Sequence, residues 1–169
     1  MKPRVYLMLF LLAVPVQASL LNPLSLFGIR PDIILVLLYI IGLLTGPAEG
    51  ALAGMALGLM QDISSAAPLG FVGVTRGLIG LCAGMLGRQV LDIASPANIM
   101  FLSAFCLLEG IVVSIFMQVF YGSGPYVSLF FTSTLPRAVY TGLFGTLVLQ
   151  FIKDKNIASM LLRRSLQKE

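Results

Sequence analysis

Six long apolar segments, separated by short polar junctions, make up most of the chain. They cover roughly residues 5–21, 31–45, 47–62, 69–87, 97–121 and 133–152. A helix that crosses a membrane needs about 20 mostly apolar residues, with a range of about 17–25. The pattern therefore predicts an all-α integral membrane protein, with a single transmembrane domain over 1–152 built as a six-helix bundle. A basic tail follows over 153–169.

The second and third segments are short enough to be the two halves of one long helix. A single helix from Ile33 to Met60 would be about 42 Å long, however, and a hydrocarbon core is only about 30 Å thick. Gly46-Pro47 lies near its middle, where proline starts a helix more readily than it continues one. Glu49 then falls in the first turn, where a carboxylate suits the helix dipole. We predict a tight hairpin of two helices.

Composition supports the membrane assignment, and charge predicts the orientation. The chain is 58% hydrophobic and 11% charged, whereas a soluble domain carries about 25% charged residues. The net charge of +4 reflects orientation rather than nucleic-acid binding, because basic residues favour cytoplasmic loops. Six spans with both termini in the cytoplasm leave only Arg30 and Arg137 outside. The basic residues that this topology places inside are Lys2, Arg4, Arg88, Lys153, Lys155, Arg163, Arg164 and Lys168. Five spans with an external N-terminus remain an alternative.

Both ends of the chain allow two interpretations. The first 20 residues, "MKPRVYLMLFLLAVPVQASL", are predicted to contain the first span. They also have the basic start, apolar stretch and Val16-Gln17-Ala18 triplet of a cleavable signal sequence. The tail after Ile152 alternates basic and apolar residues, which suits a short helix on the cytoplasmic membrane surface. A soluble basic tail is the alternative.

Glycines recur at helical spacing along the third and fourth segments. The third has Gly46, Gly50, Gly54 and Gly58; the fourth has Gly70, Gly73, Gly77, Gly80, Gly84 and Gly87. Small residues let helices approach closely in lipid, so each stripe serves either the protein's own bundle or an external helix. We expect Gly54 to be structural. The straight groove of the fourth segment suits the single membrane helix of a partner, which makes Gly70, Gly73, Gly77, Gly80 and Gly84 candidate partner-binding residues.

Besides Glu49, five charged residues lie within or at the ends of the apolar segments. Charges inside a membrane are costly and usually pair, so we predict an intramembrane ion pair between Arg76 and Glu109. Asp32, Asp62 and Arg137 fall at the predicted outer boundary. There, Asp62 or Asp32 pairs with Arg137, or all three simply reach headgroups and water.

Nothing in the sequence indicates catalysis. The chain has no histidine, which removes the commonest general base and metal ligand. The acids are scattered, no nucleophile lies in a recognisable elbow, and the glycines lack the ending of a phosphate loop. We therefore expect no enzyme activity, cofactor or metal. Glu109 leaves a proton-coupled transporter open. Cys82 and Cys106 lie in apolar runs, where they are expected to be small buried hydrophobes.

The stretch over residues 27–74 resembles the rod shape-determining protein MreD family. The resemblance rests on Pro31-Asp32 opening the second span, a glycine-rich third span that ends in Gly-Leu-x-x-Asp at 58–62, and Pro-Leu-Gly at 68–70. It implies a non-catalytic protein of the bacterial inner membrane in the machinery of lateral cell-wall elongation. The implied partners are an MreC-like bitopic membrane protein, a RodA-type glycosyltransferase and its transpeptidase, and indirectly MreB filaments, besides membrane lipid.

The resemblance also implies a fold and a rival function. The family's fold is similar to the substrate-binding component of energy-coupling-factor transporters, so a vitamin-binding membrane subunit is the alternative. Such components often carry Ala-x-x-x-Ala in the first span. Here Gln17 stands four residues after Ala13, so that motif is absent. The chain also lacks tryptophan and histidine, which leaves few polar aromatic contacts for a vitamin.

Overall fold

The protein is described by a computed structural model over residues 29–64, 70–89, 95–122, 124 and 126–154. These residues are almost entirely helical. The helices are α1 (Ile33–Thr45), α2 (Pro47–Ser64), α3 (Phe71–Gln89), α4 (Ala97–Tyr121), α5 (Tyr126–Leu129) and α6 (Leu135–Asp154), with a π-helical segment at Phe130–Thr134 between the last two. The predicted first span and residues 155–169 of the tail lie outside the described residues, so the six-span count stays a prediction.

The hairpin between α1 and α2 turns at Gly46-Pro47, as the sequence predicts. Gly46 has a φ of 98°, which favours glycine, and its N–H donates to the Gly42 carbonyl. Pro47 is the first residue of α2, a position where its missing N–H costs nothing. The start of α1 is capped by Asp32, whose Oδ1 accepts the Leu35 N–H at 2.9 Å.

Helix α1 lies at the centre of the bundle. It contacts α2, α3, α4 and α6. Among its fully buried side chains are Leu35, Leu38 and Tyr39, each 0% exposed. These residues, together with Leu57 of α2 and Leu102 of α4, form the interior against which the other helices pack. An almost wholly apolar 13-residue helix is suited to this position because nearly every face of it meets protein.

Helices α2 and α3 pack backbone against backbone through their glycines. A Cβ added at Gly58 would lie 2.5 Å from Gly73 Cα, and one added at Gly80 would lie 2.7 Å from the carbonyl carbon of Gly50. Real Cβ atoms essentially never approach this closely. Glycine is therefore required on both helices at this interface. The stripes of α2 and α3 exist because they pack against each other.

This packing corrects the prediction that the stripe of α3 is a docking face for a partner helix. Of the five candidate residues, Gly73, Gly77 and Gly80 face residues 50–59 of α2, and Gly84 faces Pro47 at its start. The fifth, Gly70, lies in the turn before α3 with a φ of 94°, and nothing is within 4 Å of its added Cβ. The protein's own α2 fills the groove that the glycine spacing predicts.

Helix α4 packs against α6 and the π-helical segment, and here the glycines mostly meet side chains. Gly110 of α4 meets Thr134, while Gly142 and Gly145 of α6 meet Ser103 and Leu102. Helix α6 continues the short α5 through the π-helical segment, so the helix runs over 126–154, beyond the predicted limits of 133–152.

The π-helical segment immediately precedes Leu135-Pro136. Proline has no N–H to bond the carbonyl four residues earlier, here that of Thr132, and its ring crowds that carbonyl. A wider turn gives the ring room without ending the helix, and single π turns inside long helices are the usual form of such an insertion.

One helix among the described residues, Ala97–Phe120, is long and apolar enough to cross a membrane by length and composition. Only 17% of its apolar stretch is buried inside the protein, whereas the core helix of a soluble protein would be mostly buried. Ile33–Thr45 and Phe71–Gly87 are shorter apolar helices. By length and composition, the described residues therefore give one candidate membrane span.

Candidate functional site: a chain of buried charges

Four charged side chains meet at the centre of the described bundle and alternate in sign. Asp32 Oδ2 accepts hydrogen bonds from Arg76 Nη2 at 2.7 Å and from Arg137 Nη2 at 2.6 Å. Arg76 Nε donates to Glu109 Oε1 at 2.9 Å. We call the series Glu109, Arg76, Asp32 and Arg137 the charge chain. Its members come from α4, α3, the cap of α1 and α6, so one connected network joins four helices.

Asp32 is the hub of the charge chain because of where α1 begins. Its Oδ1 caps the helix, its Oδ2 holds both arginines, and its own N–H donates to Thr141 Oγ1 at 3.0 Å. Asp32 and Arg76 are both 0% exposed. A buried ion is strongly disfavoured unless its partners are close and hydrogen-bonded. Here two carboxylates balance two guanidinium groups, so the network as a whole carries no net charge.

The two ends of the charge chain differ in exposure. The Arg137 side chain is 41% exposed, whereas that of Glu109 is 12% exposed. Two guanidinium nitrogens, Arg76 Nη1 and Arg137 Nε, are buried and have no acceptor among the described residues. Both arginines of the charge chain therefore carry an N–H donor that no described residue uses.

The sequence brought Arg76 and Glu109 together, and the structure places them in contact. It did not predict that this pair connects to Asp32, because it predicts Asp32 at the outer boundary. In the structure Asp32 neither reaches headgroups nor water, because it is fully buried between the arginines. The available signal was local: Asp32 follows Pro31 and precedes a long apolar run, a typical capping position, and a capping carboxylate retains one oxygen for another partner.

Asp62 does not pair with Arg137 but binds backbone N–H groups at the start of α3. Of the two proposed partners of Arg137, the structure selects Asp32. Asp62 Oδ2 instead accepts the N–H groups of Gly70 at 2.9 Å and Gly73 at 3.2 Å. Asp62, in the last turn of α2, thereby satisfies backbone donors at the start of α3. These bonds connect the end of α2 to the start of α3.

A second polar contact between helices was missed at the sequence level. The Tyr39 hydroxyl donates to Asn98 Oδ1 at 2.8 Å, and both residues are fully buried. Tyr39 is two turns along α1 from Asp32, about 10 Å at 1.5 Å per residue. A tyrosine inside one apolar run and an asparagine opening another are the signal that could have indicated this contact, because buried polar groups are paired.

The arrangement gives structural ion pairs rather than reactive groups. Both carboxylates of the charge chain accept hydrogen bonds from arginine. Within the described ranges, no group of three or more His, Cys, Asp or Glu residues could hold a metal ion. Cys106 is buried beside Thr141, as expected, but Cys82 is exposed, which corrects the expectation that both thiols are buried. On α3, Cys82 lies on the side away from the glycines.

The family relationship follows from a match that extends far beyond the motifs at 27–74. The family model for the rod shape-determining protein MreD matches residues 3–155. The chain belongs to the MreD family. MreD proteins are membrane proteins that determine rod shape, and the family is known for a structural role rather than for enzyme activity. No curated protein and no solved structure matches the chain.

Proposed function

We propose that this protein is a non-catalytic scaffold of the cell-wall elongation complex in the bacterial inner (cytoplasmic) membrane. It crosses the membrane six times with both termini in the cytoplasm. The observation that carries this proposal is the MreD match over 3–155, because it spans nearly all of the chain. The expected partners are an MreC-like bitopic membrane protein, a RodA-type glycosyltransferase with its transpeptidase and, indirectly, MreB filaments.

The charge chain supports a scaffold over a transporter. A proton relay needs an acid that can exchange its proton, whereas Glu109 is held by the buried Arg76. A bundle whose helices are locked to one another by buried ion pairs is suited to presenting fixed outer faces to partners. With the glycines of α3 occupied by α2, a partner helix has to use another surface than the one suggested by the sequence.

The alternative is a vitamin-binding subunit with a fold similar to that of energy-coupling-factor components. The interior of the described bundle gives this alternative little support. Leu38, Tyr39 and Arg76 are 0% exposed and fill the space around α1, where such a ligand would need a cavity lined by a few polar groups.

Affinity purification in a mild detergent tests the two functions directly. The protein is tagged and isolated from cells in which it replaces the native MreD. Recovery of MreC-like and RodA-type proteins supports the scaffold, whereas a bound vitamin or an ATPase module supports transport. Cys82→Ser serves as a matched control, because it alters an exposed residue outside the charge chain and should leave every partner in place.

The topology has its own test. Fusions of a cytoplasmic fluorescent reporter to the N-terminus and to the C-terminus should both fluoresce if the chain has six spans and internal termini. Loss of fluorescence from the N-terminal fusion, together with activity of an N-terminal reporter that works only outside the cytoplasm, would instead support the five-span arrangement.

A further inference from the structure

One narrow stripe of α1 is left uncovered by the described helices. Its members are partly exposed, whereas every other residue from Ile34 to Gly42 is buried. The members of the stripe are Ile33, Leu37, Ile40 and Leu44. At 3.6 residues per turn, their spacing of 4-3-4 places all of them within about 60° of the helix circumference. Within the described residues, α1 is therefore open to one side along its whole length.

The helices around α1 form a ring with one gap. Helix α2 contacts α3, α3 contacts α4, and α4 contacts α6, while α1 at the centre contacts all four. Among the described helices, α2 and α6 make no contact with each other. The ring is therefore open between α2 and α6.

The uncovered stripe of α1 faces this gap. Gly42, on the opposite face of α1, lies where α2 and α3 meet, because a Cβ added to it would be 2.9 Å from the Gly80 carbonyl oxygen and a Cβ added at Gly50 would be 3.0 Å from Gly42 Cα. Val36, on the other flank of the stripe, contacts the position of Gly145 in α6. The side of α1 between its contacts with α6 and with α2 is the side that carries the stripe.

The shape and chemistry of the stripe fit one apolar helix. Isoleucine and leucine at spacings of three and four residues are the pattern by which two helices pack along their length. The stripe is also narrow, unlike the broad exposed face of α4, of whose apolar stretch only 17% is buried. A face that lipid covers has no reason to be restricted to one row of side chains, whereas a single neighbouring helix covers such a row.

The chain itself supplies a segment that suits the gap. Of its segments outside the described residues, the tail over 155–169 carries six charged residues among them Arg163 and Arg164, and charges are costly in an apolar groove. The predicted first span over 5–21 has no charged residue. As a helix it would be about 25 Å long, enough to cover α1, which is about 20 Å long.

The connection to α1 favours the same segment. Residues 22–32 join the predicted first span to the start of α1, and consecutive elements joined by a short connection are usually neighbours in space. We propose that residues 5–21 form a helix that packs antiparallel to α1 along the uncovered stripe and closes the ring between α2 and α6. The first span is then a retained part of the bundle and not a cleaved signal sequence. The proposal rests on the six-span topology and is independent of the partners.

Cysteine crosslinking tests this packing in the full-length protein. The native Cys82 and Cys106 are replaced by alanine, and Ile40→Cys is introduced near the middle of α1. A second cysteine is moved one position at a time through residues 9–16 of the first span. On mild oxidation we expect an intramolecular disulfide at positions that recur about every three to four residues, because only one face of the span meets α1. Intact mass spectrometry should show a single chain that has lost both free thiols.

Leu78→Cys is the matched control for Ile40→Cys. Leu78 is 61% exposed near the middle of α3, a helix that lies against the opposite face of α1. Combined with the same series in the first span, it should give no intramolecular disulfide. Equal crosslinking of both positions would show that the span does not prefer the stripe, and this would overturn the proposal.

Three other outcomes would also overturn it. A disulfide that joins two copies through Ile40→Cys would assign the stripe to a dimer interface. A folded protein with no disulfide at any position of the series would leave the gap to a partner helix or to lipid. A mature wild-type protein whose mass lacks residues 1–18 would show that the span is removed. None of these outcomes decides the scaffold function, which depends on the recovered partners, and the reporter fusions test the topology separately.

Folding of the cysteine variants is checked by gel filtration. If Ile40→Cys aggregates, Leu37→Cys replaces it, one turn nearer to the outer start of α1. The series in the first span then moves by one turn to residues 12–19, since the two helices run antiparallel, and the same recurrence is expected. The mass of the wild-type protein needs no variant and tests retention of the span in either case.

Discussion

The interface between α2 and α3 and the junction of α1, α3, α4 and α6 join helices in opposite ways. At the first, glycines bring two backbones together, so an added carbon atom has no room. At the second, hydrogen bonds between long charged side chains connect the helices. Substitutions that enlarge a side chain should therefore destabilise the glycine interface most. Substitutions that remove a charge should destabilise the charge chain most.

The difference reflects what can hold helices together in lipid. Lipid tails are as apolar as leucine, so burial of apolar side chains between helices gains little there, and close packing and polar bonds supply the association. This protein uses each of the two in a separate region. The regions meet on α3, where a Cβ added at Gly54 would lie 2.6 Å from the carbonyl carbon of Arg76. The glycine packing thus positions the backbone that carries the central arginine.

Asp32→Asn should give the largest loss of stability. Asparagine can still cap α1, so the substitution isolates the charge, and it leaves two guanidinium groups facing each other. Removing one partner of a buried ion pair costs about 3–5 kcal/mol. We expect this decrease in the free energy of unfolding, measured by denaturant titration in detergent, and strong depletion of the protein from membranes.

The control for Asp32→Asn is Glu49→Gln. Glu49 is likewise a carboxylate at the start of a helix, in the first turn of α2, but it is exposed. Its substitution should cost only about 0.3–1 kcal/mol through the helix dipole. Similar losses for the two variants would mean that burial within the charge chain contributes nothing special.

Arg76 and Glu109 should show strong coupling in a double-mutant cycle. Glu109→Ala removes a charged hydrogen bond, worth about 1.5–3 kcal/mol, while Arg76 keeps Asp32 as a partner. Arg76→Ala leaves Glu109 without its cation. Once either residue is gone, loss of the other should matter less, so the double variant should lose less stability than the sum of the single variants. Additive losses would show that the two side chains do not stabilise each other.

Gly54→Ala tests the other side of the comparison, and Gly77→Ala is its matched control. At Gly54 the added methyl group meets backbone of α3, which cannot move aside, and over-packing of this kind costs about 1–3 kcal/mol. At Gly77 the nearest atom is the Cγ of Met55 at 2.6 Å, a flexible side chain that can rotate away. Equal losses of unfolding free energy for both variants would contradict the idea that backbone atoms of α3 leave no room for a Cβ at Gly54.

The same geometry changes what leucine should do on α3. If the stripe of α3 bound a partner helix, leucine at Gly77 or Gly80 would weaken the partner complex at normal protein levels. Because Gly80 packs on the backbone of Gly50, Gly80→Leu should instead remove the protein from membranes. Cys82→Leu, on the exposed side of the same helix, should leave its abundance unchanged in immunoblots of membrane fractions.

The sequence predicted those features that depend on neighbours along the chain. The turn at Gly46-Pro47 follows from proline chemistry and from the limited thickness of a membrane. The pairing of Arg76 with Glu109 follows from the cost of isolated charges in apolar segments. Each of these inferences needs only local residue types and a general energetic rule.

The sequence could not indicate which helix fills which groove. The stripe of α3 has the same spacing whether its occupant is α2 or a partner's helix, because small residues mark close approach without identifying the neighbour. Likewise, Asp32 lies 44 positions before Arg76 and 105 before Arg137. Only the folded arrangement of three helices could bring these residues to one oxygen atom.

Tyr39→Phe should produce the smallest effect and sharpens the comparison at the far end of α1. The substitution keeps the ring, which packs against Phe105 with centroids 6.0 Å apart, and removes only the hydroxyl that donates to Asn98. Loss of one neutral hydrogen bond is worth about 0.5–1.5 kcal/mol, so the free energy of unfolding should fall by that amount. Thr75→Val provides the control, because the Thr75 hydroxyl donates to the Phe71 carbonyl within its own helix. Its loss should cost less, since that carbonyl remains in the helix ladder. If both variants unfold with the same loss, then the bond from Tyr39 to Asn98 contributes no more than a hydrogen bond within one helix.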